Sequence, residues 1–179
     1  MHLKISNNFS DNILTFGGRN GRLYLNSAEV HHNLGDNNNN TTCQIQDLPK
    51  GMHGHSGVNT RLGVVSCGGF SKDCYMLNAG NEGWVPFKPL KDPRTYFTMH
   101  EFNDTLIVVG GIHTKTSLEH INLKTGREWI QEQLGFSIQE HCSVAVDEKT
   151  ILLIGGLLKK NNSNRIIVRN NSHSIPLTH

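Results

Sequence analysis

Four short apolar runs along the chain each end in a pair of glycines. They are Ile13-Leu14-Thr15-Phe16-Gly17-Gly18, Val64-Val65-Ser66-Cys67-Gly68-Gly69, Leu106-Ile107-Val108-Val109-Gly110-Gly111 and Ile151-Leu152-Leu153-Ile154-Gly155-Gly156. The first glycines of the pairs lie 51, 42 and 45 residues apart. One diglycine arises readily by chance. Four at near-constant spacing, each closing a strand-like run, mark an internal repeat. A nearly continuous apolar run of this length predicts a strand buried on both faces. The glycines that follow permit positive φ and close backbone approach where the chain leaves a crowded centre. Stretches that favour helix are scarce between the runs, so the pattern predicts an all-β protein.

Other positions keep the same phase. Ser27-Ala28-Glu29 and Ser117-Leu118-Glu119 follow a diglycine and begin a strand. Trp84 and Trp129 each precede the next diglycine by 26 residues, a regularity that simple packing between units explains. Leu48-Pro49, Leu90 and Leu134 close the outer strands, and His55, Arg94 and His141 are placed at the openings of the innermost ones.

The order of Arg or His, apolar strand, Gly-Gly, Glu, Trp and Leu at this period resembles the kelch repeat. The segment from Trp84 through Leu90, Pro93-Arg94 and Asn103-Asp104 to Gly110-Gly111 carries the likeness best. The first and fourth units lack the tryptophan, and the fourth lacks the glutamate as well. The resemblance implies a β-propeller built from four four-stranded antiparallel repeats, over residues 1–50, 51–91, 92–136 and 137–179. In the third, the strands are expected at Phe97–Phe102, Thr105–Val109, Leu118–Asn122 and Glu128–Glu132. The polar run Asp36-Asn37-Asn38-Asn39-Asn40 reads as a loop inserted between two strands. Propellers close with typically 4–8 blades, and kelch rings resemble six- or seven-bladed ones. Part of a larger ring is therefore the favoured expectation, with a closed four-bladed ring or assembly of two copies as the others. An open fragment would self-associate.

Composition narrows the function. The chain has 179 residues, 36% of them hydrophobic and 18% charged, with a formal net charge of +2. That describes a folded, loop-rich domain with no basic run beyond Lys159-Lys160, which speaks against nucleic-acid binding. No apolar stretch approaches the roughly 20 residues of a membrane-spanning helix, and the first ten residues lack the features of a signal peptide.

Candidate chemistry is sparse. Eleven histidines include the pairs His31-His32 and His53/His55, but none has the supporting ligands that a zinc site needs. Gly54-His55-Ser56-Gly57 misses the nucleophile elbow by one position, and no phosphate-binding or dinucleotide motif occurs. Some kelch-type propellers are enzymes, including galactose-oxidase-like copper enzymes and sialic-acid mutarotases, yet the copper ligand set does not map onto this chain. The expectation is a non-catalytic protein without cofactor or metal. Cys67 and Cys74 fall on strands expected to be hairpin neighbours, where a disulfide is geometrically feasible. Similar cysteine spacing in kelch proteins that look extracellular, a cysteine placed like Cys43, and sequons at Asn8, Asn39, Asn40, Asn103, Asn161 and Asn170 favour an oxidising location. Reduced thiols in a cytosolic propeller are the equal alternative.

Loops at the ends of a rigid scaffold are natural binding surfaces. The segments after the diglycines hold Arg19, Asn20 and Arg22, then Phe70 and Lys72, then His113 and Lys115, and finally Lys159 and Lys160. In kelch propellers that capture acidic peptides, arginines in corresponding loops grip carboxylates, a role suited to the guanidinium fork. The resemblance thus implies a protein-binding scaffold for a protein or acidic peptide. Alternatives are an extracellular adhesion or glycan-binding kelch protein, or the substrate-receptor part of a ubiquitin-ligase adaptor.

Overall fold

The computed structural model describes residues 2–7, 10–32, 41–78, 83–147, 150–158, 165–169 and 177–178, with side chains described between 12 and 156. The polar run at 36–40, Lys159, Lys160 and all the sequons except Asn103 lie outside the described residues.

Strands β1 (His2–Asn7) and β2 (Ser10–Phe16) are followed by a short hairpin of β3 (Arg19–Asn20) and β4 (Leu23–Tyr24), then β5 (Ala28–His32) and β6 (Thr41–Ile45). Next come β7 (His55–Thr60), β8 (Gly63–Gly68), β9 (Cys74–Leu77) and β10 (Trp84–Phe87). The third group is β11 (Thr98–Phe102), β12 (Thr105–Val109), β13 (Ser117–Asn122) and β14 (Ile130–Gln133). After the short β15 (Ile138–Gln139) come β16 (Cys142–Asp147), β17 (Thr150–Ile154), β18 (Leu157–Leu158), β19 (Arg165–Arg169) and β20 (Leu177–Thr178).

These strands form four antiparallel four-stranded sheets, each a meander from one continuous stretch of chain: β1-β2-β5-β6, β7-β8-β9-β10, β11-β12-β13-β14 and β16-β17-β19-β20. Among the described residues there is no helix. In the third sheet the outermost strand starts at Ile130, two residues later than expected, because Trp129 ends its own approach buried against sheet two.

Three apolar clusters join the sheets in series. Leu14, Phe16 and Ala28 of sheet one meet Val64 and Trp84 of sheet two. Val65, Cys67 and Cys74 of sheet two meet Leu106, Val108, Ile121 and Trp129 of sheet three. Ile107, Val109 and Leu118 of sheet three meet Ile151 and Leu153 of sheet four. Both faces of the second and third apolar runs are therefore covered, which explains their lack of alternation. Each fully buried side chain of this kind contributes about 1.5–3 kcal/mol. The Cys67 and Cys74 sulfurs, facing each other on β8 and β9, are joined in a disulfide, and Cys43 and Cys142 are free and exposed.

All eight glycines of the four pairs have positive φ, from 61° to 116°. The first glycine of a pair also sits against the following unit. A Cβ on Gly17 would come within 2.7 Å of the His55 ring, one on Gly68 within 2.5 Å of the Phe97 ring, and one on Gly110 would strike the Ile138 carbonyl. Among the described residues Gly155 has nothing comparable in front of it. On the same side of sheet four Val144, Val146 and Ile154 are 47%, 60% and 47% exposed, so this apolar face is bare.

The backbone repeats with the side chains. Gly17, Gly68 and Gly110 donate their amides to Ser27, Asp73 and Ser117, and Leu48, Leu90 and Leu134 donate theirs to Asn26, Lys72 and Thr116. Met52, Arg94 and Ile138 donate to Leu25, Ser71 and Lys115. This equivalence corrects one sequence expectation. Arg94 does not share a place with His55 and His141, because it enters three residues earlier. Phe97 is the counterpart of His55, facing the first glycine of the pair.

Arg94 is fully buried and is bound on every side. Its Nε donates to Glu119 Oε1 at 3.0 Å, Nη1 to the carbonyls of Gly110 (2.7 Å) and Ser117 (3.0 Å), and Nη2 to Ser117 Oγ (2.8 Å). Glu119, also fully buried, accepts the amides of Lys91 and Asp92. Sheet two fills the corresponding places with Met52 and Tyr75. Arg94→Met alone should therefore destabilise the protein by about 3–5 kcal/mol by stranding a buried carboxylate. Arg94→Met/Glu119→Tyr should recover most of that loss in urea titrations. A double variant no more stable than the single one would refute the equivalence of the two places.

Candidate functional site

The connections that precede the innermost strands gather at one end of the sheets, where each is pinned to the loop of the unit before it. Tyr24, on the β3–β4 hairpin, is held because Leu25 donates to the Gly18 carbonyl and receives the Met52 amide. His53 and Gly54 precede β7, Phe70 follows the second diglycine, Tyr96 precedes β11, and His113 follows the third diglycine.

Their rings meet. The Tyr24 and Phe70 rings lie near parallel with centroids 6.2 Å apart, and His53 lies 5.6 Å from Tyr24. Tyr96 stands edge-on to His53 at 5.6 Å and to Phe70 at 6.3 Å, and His113 approaches Phe70 at 6.3 Å. The Tyr96 hydroxyl and His53 Nε2 share a hydrogen bond of 2.7 Å. Such contacts contribute roughly 0.5–1.5 kcal/mol each beyond area burial. Tyr24 is 48% and Phe70 45% exposed, and the neighbouring Leu23 is 69% exposed, so the cluster is an apolar patch open to solvent.

Two of these rings sit on unusual backbone. Phe70 has φ 68° and Tyr96 has φ 54°. A bulky side chain in the left-handed region costs on the order of 1–3 kcal/mol and persists where its surroundings hold it. Asn103 and Asp104, at φ 46° and 63°, are residue types that tolerate this region in the β11–β12 turn. Phe70 and Tyr96 are not such types and both lie in the patch, while Glu140, at φ 53°, lies outside it.

Of the residues singled out from sequence, the patch brings together Phe70 and His113. Arg19 and Asn20 form β3, with Arg19 paired to Tyr24 across the hairpin and its guanidinium turned onto the Gly21 carbonyl. Arg22, Lys72 and Lys115 are exposed along the same loops; the Lys72 carbonyl accepts the Leu90 amide within its own unit, and the Lys115 carbonyl accepts the Ile138 amide of the following one. Tyr24 and Tyr96 were not foreseen, and His53 was weighed only as one of a histidine pair. Their signal was available in the aromatic and histidine content of the connections, which carry no strand pattern to explain it.

Behind the patch, His55 and His141 face inward. His55 packs on Phe16 at 5.2 Å, and His141 Nε2 bonds Thr98 Oγ1 at 2.9 Å. Burial lowers the pKa of each to about 4. Burial likewise lowers His100, whose Nε2 bonds Ser143 Oγ. Among the described residues no group of three or more His, Cys, Asp or Glu is placed to hold a metal. No protein-family model matches the chain, and no curated protein is significantly similar to it.

The two inward histidines fold neutral and unfold to groups of ordinary pKa 6.5. Their contribution to stability is therefore complete above pH 6.5 and is lost as pH falls from 6.5 towards 4. His55→Phe/His141→Phe, which copies Phe97 of sheet three, should flatten that part of the Tm-against-pH curve. An unchanged slope would show that other groups set it.

Proposed function

We propose that the chain is a kelch-type propeller, or part of one, and works as a non-catalytic scaffold that binds a protein or peptide segment at its loop end. The observation that carries this reading is the aromatic patch of Tyr24, Phe70 and Tyr96, in which the Tyr24 and Phe70 rings stay about half exposed and Phe70 is held in left-handed backbone. Core packing gains little from rings that stay half in water, whereas an interface gains most from such anchors. Four sequence-local sheets packed in series support the propeller reading, and an incomplete ring accounts for the bare side of sheet four.

The exposed cations beside the patch, Arg19, Arg22, Lys72 and Lys115, support a partner with acidic residues at the margin of the contact. Their solvent exposure assigns them to steering and register more than to affinity.

The test is to pan a displayed random-peptide library against the full chain and measure the enriched peptides by fluorescence anisotropy. Phe70→Ala should weaken them by at least 2 kcal/mol, on the order of thirtyfold, as an anchor does. Arg19→Ala should cost under about 1 kcal/mol and reduce the dependence of the association rate on salt. Enriched peptides indifferent to Phe70→Ala and Tyr24→Ala would place binding elsewhere.

A further inference from the structure

Tyr96 belongs to two surfaces at once. Besides the aromatic patch it lines a pocket of about 570 Å³, together with Gly54, His55, Phe97, Glu140 and His141. Three of these residues hold corresponding places in consecutive units and share left-handed backbone: Gly54 at φ 66°, Tyr96 at 54° and Glu140 at 53°. The Tyr96 amide donates to the Gly54 carbonyl at 2.8 Å, and the Glu140 amide to the Tyr96 carbonyl at 3.1 Å. The Thr95 hydroxyl also donates to the Gly54 carbonyl. The Tyr96 and Glu140 amides, which could have served an anion, are thus already spent within the wall.

What the lining offers instead is acceptors and ring faces. Glu140 carries the one full charge among the lining residues; its carboxylate touches the Gln139 amide at 3.4 Å and is otherwise exposed. His141 is 7% exposed and its Nδ1 has no hydrogen-bond partner. The ring nitrogens of His55 lie near the Phe16 and Met52 carbonyls without closing a well-formed bond to either. These ring nitrogens are sealed from solvent, so the imidazoles present ring surface, and the exposed Glu140 carboxylate is the charged group that a guest can reach. Tyr96 and Phe97 add ring walls, which favour a cation over an anion. The imidazoles do not offset the carboxylate, since burial keeps both neutral well below pH 7.

We propose that this pocket receives a lysine or arginine side chain of the bound segment, with Glu140 as its counter-ion and the His55 and His141 rings and Tyr96 as its walls. The inference rests on the reading of the loop end as a peptide-binding surface, and it adds a selectivity that the exposed arginines do not imply. A segment with a basic residue at its centre and acidic residues at its margin would match both.

The pocket can be tested on the full chain with small probes: N-acetyl-lysine amide, N-acetyl-arginine amide, N-acetyl-norleucine amide and N-acetyl-glutamate amide. NMR of the imidazole Cε1 protons should show saturable shifts at His55 and His141 with the two cationic probes, with Kd on the order of 1 mM. Glu140→Gln, a change at an exposed side chain, should weaken them about two- to fivefold. Shifts of equal size from the glutamate or norleucine probe, no saturable shift, or an unaffected Glu140→Gln variant would each overturn the proposal. The panned peptides separate the two levels. Peptides that need Phe70 but ignore both Glu140→Gln and replacement of their own lysines by norleucine leave the loop-end reading standing and remove the pocket. Binding of the cationic probes without any patch-dependent peptide would do the reverse.

Discussion

Close approach at the first glycine of each pair is the constraint on which the rest of this structure depends. Gly17, Gly68 and Gly110 leave no room for a Cβ, because the next unit's ring or carbonyl occupies that space. The same glycines carry positive φ, so one residue type meets a conformational and a steric demand together. With the glycines in place, neighbouring sheets can interlock Leu14, Phe16 and Trp84, then Val108 and Trp129, then Val109 and Leu153, as separate but similar cores. In sheet four no described residue faces Gly155 in this way, and Val144, Val146 and Ile154 are exposed.

The units solve one packing problem with different chemistry. Sheet three places the fully buried Arg94–Glu119 pair where sheet two places Met52 and Tyr75. A buried ion pair of this kind is weak evidence for added stability, since desolvation opposes the attraction. Its geometry is nevertheless specific. The guanidinium reaches two carbonyls and a hydroxyl that lie around the third diglycine, while the carboxylate collects two amides from the connection at Lys91 and Asp92. That connection leads into Tyr96, so the buried pair is also part of what holds this ring in the patch.

Much of the architecture was legible because strand burial and glycine spacing are local properties. The diglycine period located the four apolar runs, and Trp84 and Trp129 pack between units as their phase suggested. The misalignment of Arg94 with His55 and His141 has a plain cause. These residues precede their diglycines by 16, 13 and 14 positions, and residue type outweighed distance in the comparison. Phe70 and His113 were found by their place after a diglycine. Tyr24, His53 and Tyr96 were not, since connections have no periodicity to announce which side chains turn outward.

By itself the sequence determined the all-β class, the repeated apolar runs and the connections that follow each diglycine, because each follows from hydrophobic pattern and glycine punctuation. Only the tertiary structure decided which loops meet. The Tyr24–Phe70–Tyr96 patch draws on segments more than 70 residues apart, from residue 24 to residue 96. The pocket joins Gly54 to His141 across an even longer span. Such contacts arise from the stacking of whole sheets and from backbone held in left-handed conformations at Tyr96 and Glu140. No local pattern encodes either, because the forces that hold them come from the neighbouring unit.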